Sequence, residues 1–559
     1  MTVHVRAYTS PTLVLLAYDW DEHVPGDFLG FAIERTPGAD GNASMWLPNR
    51  IGFNGPPEDG SSLPSNVAPI QKYYWWDARI DTRDRGSSFT YRVVPLRGKP
   101  HAPELVNAEA ATITVKVPLV EEHGITTHFN RAVVSSQGFA AAFPHLDTPS
   151  QQKAARAWLA NGMEQAVPEF LARAAGKDIE GAIYHLTDDI WIIPALRHYG
   201  GSVSLAYHHK ADDTASDAAI QQLIDAGRPK TAFAARTHAN IMHDKFLVRV
   251  GHGDHPEAVL AGSANFTSEG LSVQANVLHA FESPSLAKLY VERKRLLDGD
   301  PTLPETAAHQ QGWSDPIDME DATLRVFFPP EPGSERRSLD AIVEAVKNAR
   351  SSVLLCAFDP TDADLLKSVF STFDDGKMML ALVNRVPARA PTGDPERADV
   401  AAKISILDHH ARDHDVMGFD AFSASDTPTG FAPERVLWPG EDPKIMVRVH
   451  HKFVVIDGET DKPIVYTGSA NFSGNALHHN DENLIEISNS PRLAQIYLAE
   501  FLRLYEHYRA RLSFHERQAG NSDKFTLQPD SRWTRKYFEN GNPAQRARIA
   551  LSASRGGGQ

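Results

Sequence analysis

The chain is poor in cysteine, short of positive charge and without long apolar runs. Its single cysteine, Cys356, excludes an intramolecular disulfide, and its setting in SSVLLCAF reads as a small core residue. The 56 lysines and arginines fall short of the 71 aspartates and glutamates, giving a formal charge of -15. That argues against the broadly basic surface many nucleic-acid binders present, although a local basic groove stays open. No stretch is long and apolar enough to span a bilayer. The opening residues, MTVHVRAYTSPTLVLLAYDW, lack the basic segment and clean apolar core of a secretory leader. A cytoplasmic location is expected, with secretion by another route open.

What is present divides by texture. The 559 residues are too many for one core, so about three domains are expected. Residues 1–117 carry short alternating strands such as TLVLLAYDW, FLGFAIERT and FTYRVVPL, separated by Pro-, Gly- and Asn-rich turns. The spacing predicts an antiparallel β-sandwich. It resembles a fibronectin type III or immunoglobulin-like module, with Tyr91 as a candidate corner tyrosine. The Trp75–Trp76 pair reads as sandwich core or edge, with a contact surface as the sharper reading.

Beyond it the pattern becomes α/β. SQQKAARAWLANGMEQAVPEFLARAA predicts one long amphipathic helix, and GAIYHL and GSVSLAYHH predict strands. A similar series restarts near Thr323, with SERRSLDAIVEAVKNAR as a helix begun by a serine cap. The expected fold class is therefore α/β, two related α-β-α halves at 126–315 and 316–515 preceded by the all-β sandwich. Residues 516–559 form a C-terminal basic extension. From Ser531 onward it holds six basic residues against Glu539 alone. It reads as a solvated tail, or as a strap near an anionic substrate.

The two halves share a constellation. The first (237–269) has MHDKFLVRV and then AGSANF; the second (444–475) has VHHKFVVID and then TGSANF. Each sets a histidine and a lysine two places apart, on one face of an apolar strand. About twenty residues later each has Gly-Ser-Ala-Asn-Phe. A lone His-x-Lys carries almost no information, whereas this duplicated arrangement is far from chance.

These residues resemble the phospholipase D superfamily in its two-motif form, whose pattern is His-x-Lys-x4-Asp with Gly-Ser-x-Asn downstream. The likeness covers both α/β halves and not the sandwich. It implies that the halves pack about a pseudo-two-fold axis and share one site. It further implies a covalent phosphohistidine that water resolves, in a metal-independent reaction with no cofactor. His243 and His450 are the candidate nucleophile and general acid, then base. Lys245 and Lys452 would hold the phosphate, Asn265 and Asn471 would donate to its oxygens, and Ser263 and Ser469 would add hydroxyl donors. His243 is expected to be oriented by Gln274, and His450 by Glu482, on the ground that a carboxylate keeps an acid protonated. Asp457 stands where the family has its aspartate, and Val250 takes that place in the first half; the tyrosyl-DNA phosphodiesterases share such a departure. His451, beside His450, is read as structural.

Two further signals stand apart. DHHARDHD, Asp408 to Asp415, is histidine- and aspartate-rich, but its spacing is irregular and it reads as a solvated loop before a metal site or a pocket rim. AYHHK, Ala206 to Lys210, reads as surface or as pocket lining. The expected activity is hydrolysis of a phosphodiester, with a phospholipid head group ahead of a nucleic acid. The alternatives are a nuclease or nucleic-acid-end phosphodiesterase, and an effector or sensor whose sandwich recruits a protein partner. With both motifs in one chain, a monomer suffices for a complete site.

Overall fold

The structure is a computed structural model. It describes residues 2–20, 24–39, 41–132, 136–384, 416–417, 449–518 and 525–553. The histidine-rich stretch from Asp408 to Asp415 lies outside the described residues.

The N-terminal region holds a three-stranded and a five-stranded antiparallel sheet. In the strand Leu13–Asp19 the side-chain period of two serves two cores. Val14, Leu16 and Tyr18 meet Phe31, Ile33, Tyr91 and Val93 between the sheets. Leu13, Leu15 and Ala17 turn the other way, into a core shared with the helix Pro491–Gln518. Tyr91 is fully buried, and its hydroxyl donates to the Asp77 carboxylate at 2.9 Å. A corner tyrosine would bond a neighbouring backbone carbonyl instead. Asp77 also holds Arg35 in a buried ion pair at 2.8 Å.

The C-terminal segment departs from its expected role as a tail or substrate strap. Trp533 and Tyr537 join the sandwich core, and Leu551 is fully buried. Arg548 pairs with Asp19 at 2.6 Å. Trp533 and Tyr537 pack with the sandwich, and Ala547, Ala550 and Leu551 enter the core shared with the α/β sheets, which net charge alone conceals.

Residues 121–488 contain two eight-stranded mixed sheets with the same spatial order of strands. In the first, Lys245–Gly251 lies between Asp178–Ile183 and His255–Gly262; in the second, Lys452–Ile456 lies between Ser352–Ala357 and Ile464–Gly468. Phe246, Val248, Phe453 and Val455 enter one core shared by both sheets and by the helices Pro284–Asp298 and Pro491–Gln518. Leu247 and Val454 face separate cores on the outer sides. These β-branched and aromatic runs therefore suit central strands buried on two faces.

Two predicted helices differ. The single helix expected before Ala174 is two, Pro149–Ala160 and Ala166–Arg173. Asn161 and Gly162 adopt φ of 54° and 97°, a left-handed stop that the amphipathic period hides. The helix Arg337–Lys347 starts later than its serine would set it. The Glu331 carboxylate takes its first N–H groups, from Arg337 and Ser338, at 2.6 and 3.2 Å.

Candidate active site

The stretch Ile241–Val250 is not one strand. It comprises Ile241–Met242, then a break at His243–Asp244, then Lys245–Gly251. The break arises because the chain changes partners. Ile241–Met242 pairs in parallel with Asn480–Asp481 of the second half, and His243 N–H donates to Asp481 O at 2.8 Å. The second motif does the reverse: Val449 bridges Ala275 of the first half, and His450 N–H donates to Ala275 O at 3.1 Å. Each histidine is thus seated on backbone from the opposite half.

The side-chain partners cross in the same way, and this corrects the expected pairing. His243 Nδ1 lies 2.8 Å from Glu482 Oε2, and His450 Nδ1 lies 2.9 Å from Asn276 Oδ1. Gln274 is not the partner of His243; its side-chain oxygen has no hydrogen bond. The residue sequence reasoning missed is Asn276. It follows Ser263 by 13 places, as Glu482 follows Ser469 by 13. Counting from the duplicated Gly-Ser would have found it.

The serines are committed to these partners rather than held for a phosphate. Ser263 Oγ donates to Asn276 Oδ1 at 2.8 Å, and Ser469 Oγ donates to Glu482 Oε2 at 2.6 Å. Asn276 Nδ2 donates to Gly270 O at 2.8 Å, which fixes its Oδ1 toward His450. Asn480 Nδ2 supports Glu482 Oε1 at 3.2 Å. In both rings Nδ1 must then carry the proton, and Nε2 is the free nitrogen.

The lysines are fully buried at the first residue of each strand. Lys245 Nζ donates to His243 O at 2.5 Å, and Lys452 Nζ to His450 O at 2.7 Å. Aromatic rings lie under both: Tyr184 at 5.2 Å from Lys245 Nζ and Phe358 at 5.5 Å from Lys452 Nζ. These rings also flank the histidines, Tyr184 against His243 and Phe358 against His450. Asn265 and Asn471 are half-buried, each with an unpartnered Oδ1.

Burial and mutual repulsion govern the charges. Burial, then Lys245 and Lys452, push the His243 pKa well below its usual value. His450 is depressed by burial, by both lysines and by His243. Burial lowers Lys245 to about 7, burial and then repulsion from Lys245 hold Lys452 well below its usual value, and burial raises Glu482 to about 7. Groups from both halves thus sit in one electrostatic neighbourhood. A bound anion there would favour the charged forms of the lysines and histidines. The imidazoles retain a little exposure, 6% for His243 and 5% for His450.

The remaining sequence candidates have other surroundings. Asp457 accepts backbone N–H groups of Arg350, Ser351 and Ser352, which secures the start of Ser352–Ala357. His451 packs between Phe129 and Phe453. His208 of AYHHK is buried behind the site, its Nδ1 accepting Met242 N–H at 3.2 Å, whereas His209 is half-exposed and pairs with Asp217. Trp75 and Trp76 stack at 4.9 Å, each half-buried against a core. Among the described residues no helix is long and apolar enough to cross a membrane.

Residues 429–505 match the family model described as cardiolipin synthase, PLD-like domain. That span includes the second motif and Glu482 but not the first motif. No curated protein matches the chain. Among solved structures, phosphatidylserine synthase from Haemophilus influenzae Rd KW20 is 14% identical, covers 64% of this chain and 92% of its own, with a TM-score of 0.41. Nuc from Salmonella typhimurium, a phospholipase D family member, is 20% identical over 34% of this chain and 95% of its own, at 0.21. Polyphosphate kinase from Porphyromonas gingivalis is 14% identical over 58% of this chain, at 0.37; the match spans only 42% of that kinase.

Proposed function

We propose that the chain is a phospholipase D-type phosphodiesterase that hydrolyses a phosphodiester, with a phospholipid head group as its favoured substrate. The observation that supports this best is the crossed pair of dyads. Each imidazole is fixed at Nδ1 by a partner from the opposite half, which leaves both Nε2 atoms without that partner, and both buried lysines act on each ring.

His243 is the nucleophile. As its Nε2 bonds to phosphorus the ring becomes cationic, and the Glu482 carboxylate stabilises that charge through Nδ1–H. His450 rests on a neutral amide, which cannot offset an imidazolium, so it releases its proton more readily. Substrate binding brings the negative charge that lets His450 hold that proton and lets both lysines ionise. In the first step the N–P bond forms and the P–O bond to the leaving alcohol breaks. His450 Nε2–H protonates the departing oxygen. In the second step His450 Nε2 takes a proton from water, the water oxygen bonds to phosphorus, and the N–P bond breaks. The pairing differs from the sequence expectation, and so does its reason: the carboxylate serves the residue that becomes cationic in the covalent intermediate. The acidic total charge and the lipid-synthase name of the matched model support a lipid over a nucleic acid.

The test is adduct trapping. His450→Ala incubated with bis-p-nitrophenyl phosphate in EDTA, then mapped by mass spectrometry, should carry the phosphoryl group on His243. An adduct on position 450 of the corresponding His243→Ala protein would reverse the roles. Absence of turnover by the unmodified chain on this diester, on phosphatidylethanolamine vesicles and on single-stranded DNA would overturn the reading. Faster turnover of the DNA than of the vesicles would move it to a nuclease.

A further inference from the structure

Behind the His243–Glu482 dyad lies a buried ionic lattice that the proposed chemistry leaves unused. His243 and Glu482 face the site, and their chain neighbours Asp244, Asp481 and Asn483 bond on the reverse side. Asp244 Oδ1 accepts from Asn483 Nδ2 at 2.8 Å. Arg293, from the helix Pro284–Asp298, reaches Asp244 Oδ2 at 3.4 Å, Asp481 Oδ1 at 3.2 Å and Pro329 O at 2.6 Å. Arg236 grips the other oxygen of Asp481 at 2.7 Å and Asp300 at 2.9 Å. Asp244, Asp481 and Arg236 are fully buried, and Arg293 is 5% exposed.

The second dyad is backed differently among the described residues: Asn276 N–H donates to Asn130 Oδ1 at 3.0 Å, and the Asn130 carbonyl accepts from Arg503, which pairs with the buried Glu500. At the matching places behind His450 and Asn276 stand His451, Ala275 and Val277, packed among apolar side chains. Burying paired charges is costly, and apolar side chains often serve as well. One dyad does without carboxylates beside its histidine and beside that histidine's partner, so the duplicated strands do not require them there.

We propose that Arg293 is a positioning residue for the nucleophile: it ties Asp244 of the first half to Asp481 of the second, holds His243 on Glu482, and cancels the negative charge behind them. This rests on the reading of His243 as nucleophile. Facing the dyad from the site are Lys245, Lys452 and His450, and from the rim Tyr184 and His185, which both contact Asp213. Behind it are Asp244 and Asp481 with their two arginines. Burial raises Asp244 to about 6, and Arg293 opposes that rise. Without Arg293 the cluster holds a proton to higher pH, and attack requires a neutral His243.

The test is Arg293→Met, assayed with bis-p-nitrophenyl phosphate across pH, together with the rate of adduct formation on His243. The acid limb of kcat/KM should rise by about one pH unit and adduct formation should slow about tenfold or more, with KM within about twofold. Adding Asp244→Asn should return the limb toward the unmodified position. Arg293→Lys, the milder change, keeps the charge and loses the planar fork. It should slow adduct formation without moving the limb, and it serves if Arg293→Met does not fold. An unshifted limb in Arg293→Met, or unchanged adduct formation in Arg293→Lys, overturns the proposal. An unmodified chain that forms no adduct on His243 overturns the functional reading itself, so the two failures are distinct.

Discussion

The two dyads are built alike in front and differently behind. Each has a lysine donating to the histidine carbonyl, an aromatic ring beneath it, and a serine bonded to the histidine's partner. Yet His243 has a carboxylate partner backed by paired carboxylates and arginines, and His450 has an amide partner flanked by Ala275 and Val277 and held by Asn130. Duplicated strands give two equivalent imidazoles. On the proposed reading, the residues around them make one a better acceptor of positive charge and the other a better donor of a proton.

The sharpest way to break this comparison is to remove each ring. His243→Ala and His450→Ala should each reduce turnover of a diester by at least ~10²–10⁴-fold. The two should differ in kind. With an activated leaving group such as p-nitrophenolate, His450→Ala should still accumulate adduct, and His243→Ala should not. Equal adduct yields in a rapid-quench experiment would refute the asymmetry.

Exchanging the partners comes next. Glu482→Gln should lower the rate of adduct formation by about 10²-fold, because a developing imidazolium loses its counter-charge. Asn276→Asp should cost less, about tenfold, and move the alkaline limb of the rate profile upward. The sign follows from the role: a carboxylate on Nδ1 helps His450 keep the proton it must donate. A profile moved downward would contradict that role.

A smaller contrast lies in the serines. Ser469 donates to a carboxylate and Ser263 to an amide, and hydrogen bonds to charged groups are the stronger. Ser469→Ala should therefore lower kcat about tenfold and Ser263→Ala only a few-fold. The reverse order in steady-state kinetics would count against the charge argument.

How much of this was legible in the sequence depends on whether a feature is carried by local spacing. His243, Lys245, His450 and Lys452 are visible because side-chain alternation and duplication are properties of short segments. The crossed pairing is not, because it depends on Ile241–Met242 and Val449 leaving their own sheets to bridge the opposite half. Gln274 was the natural choice by residue type, and only the shared 13-residue interval singles out Asn276. Nothing near Arg236 or Arg293 in the chain marks either as buried, so their place behind the dyad is invisible to local spacing. Trp533 and Tyr537 were obscured by the arginines around them.

The smallest contrast is thermodynamic, and it concerns the residues that occupy the same place behind each dyad. His451 is buried among Phe129 and Phe453, with its Nδ1 unpartnered, and burial followed by Lys452 and Arg503 holds its pKa well below the usual value. Unfolded, it would bind a proton near pH 6.5. The unfolded chain therefore binds more protons below that pH, and the stability His451 contributes is lost as pH falls from about 6.5. Asp244 has the opposite sign. Burial raises it to about 6, so its contribution is present in acid and is lost as pH rises through that value. His451→Phe, which keeps an aromatic ring in an aromatic setting, should flatten the fall of Tm between about pH 6.5 and pH 5, and Asp244→Asn should steepen it. The flattening should be partial, because His128 and His279 are also buried and depressed to about 3 and titrate with the same sign. Thermal unfolding followed across that pH range decides the matter: slopes that change in the same direction in both variants would mean that the two backing residues are electrostatically alike, and the distinction between the dyads would then rest on Glu482 and Asn276 alone.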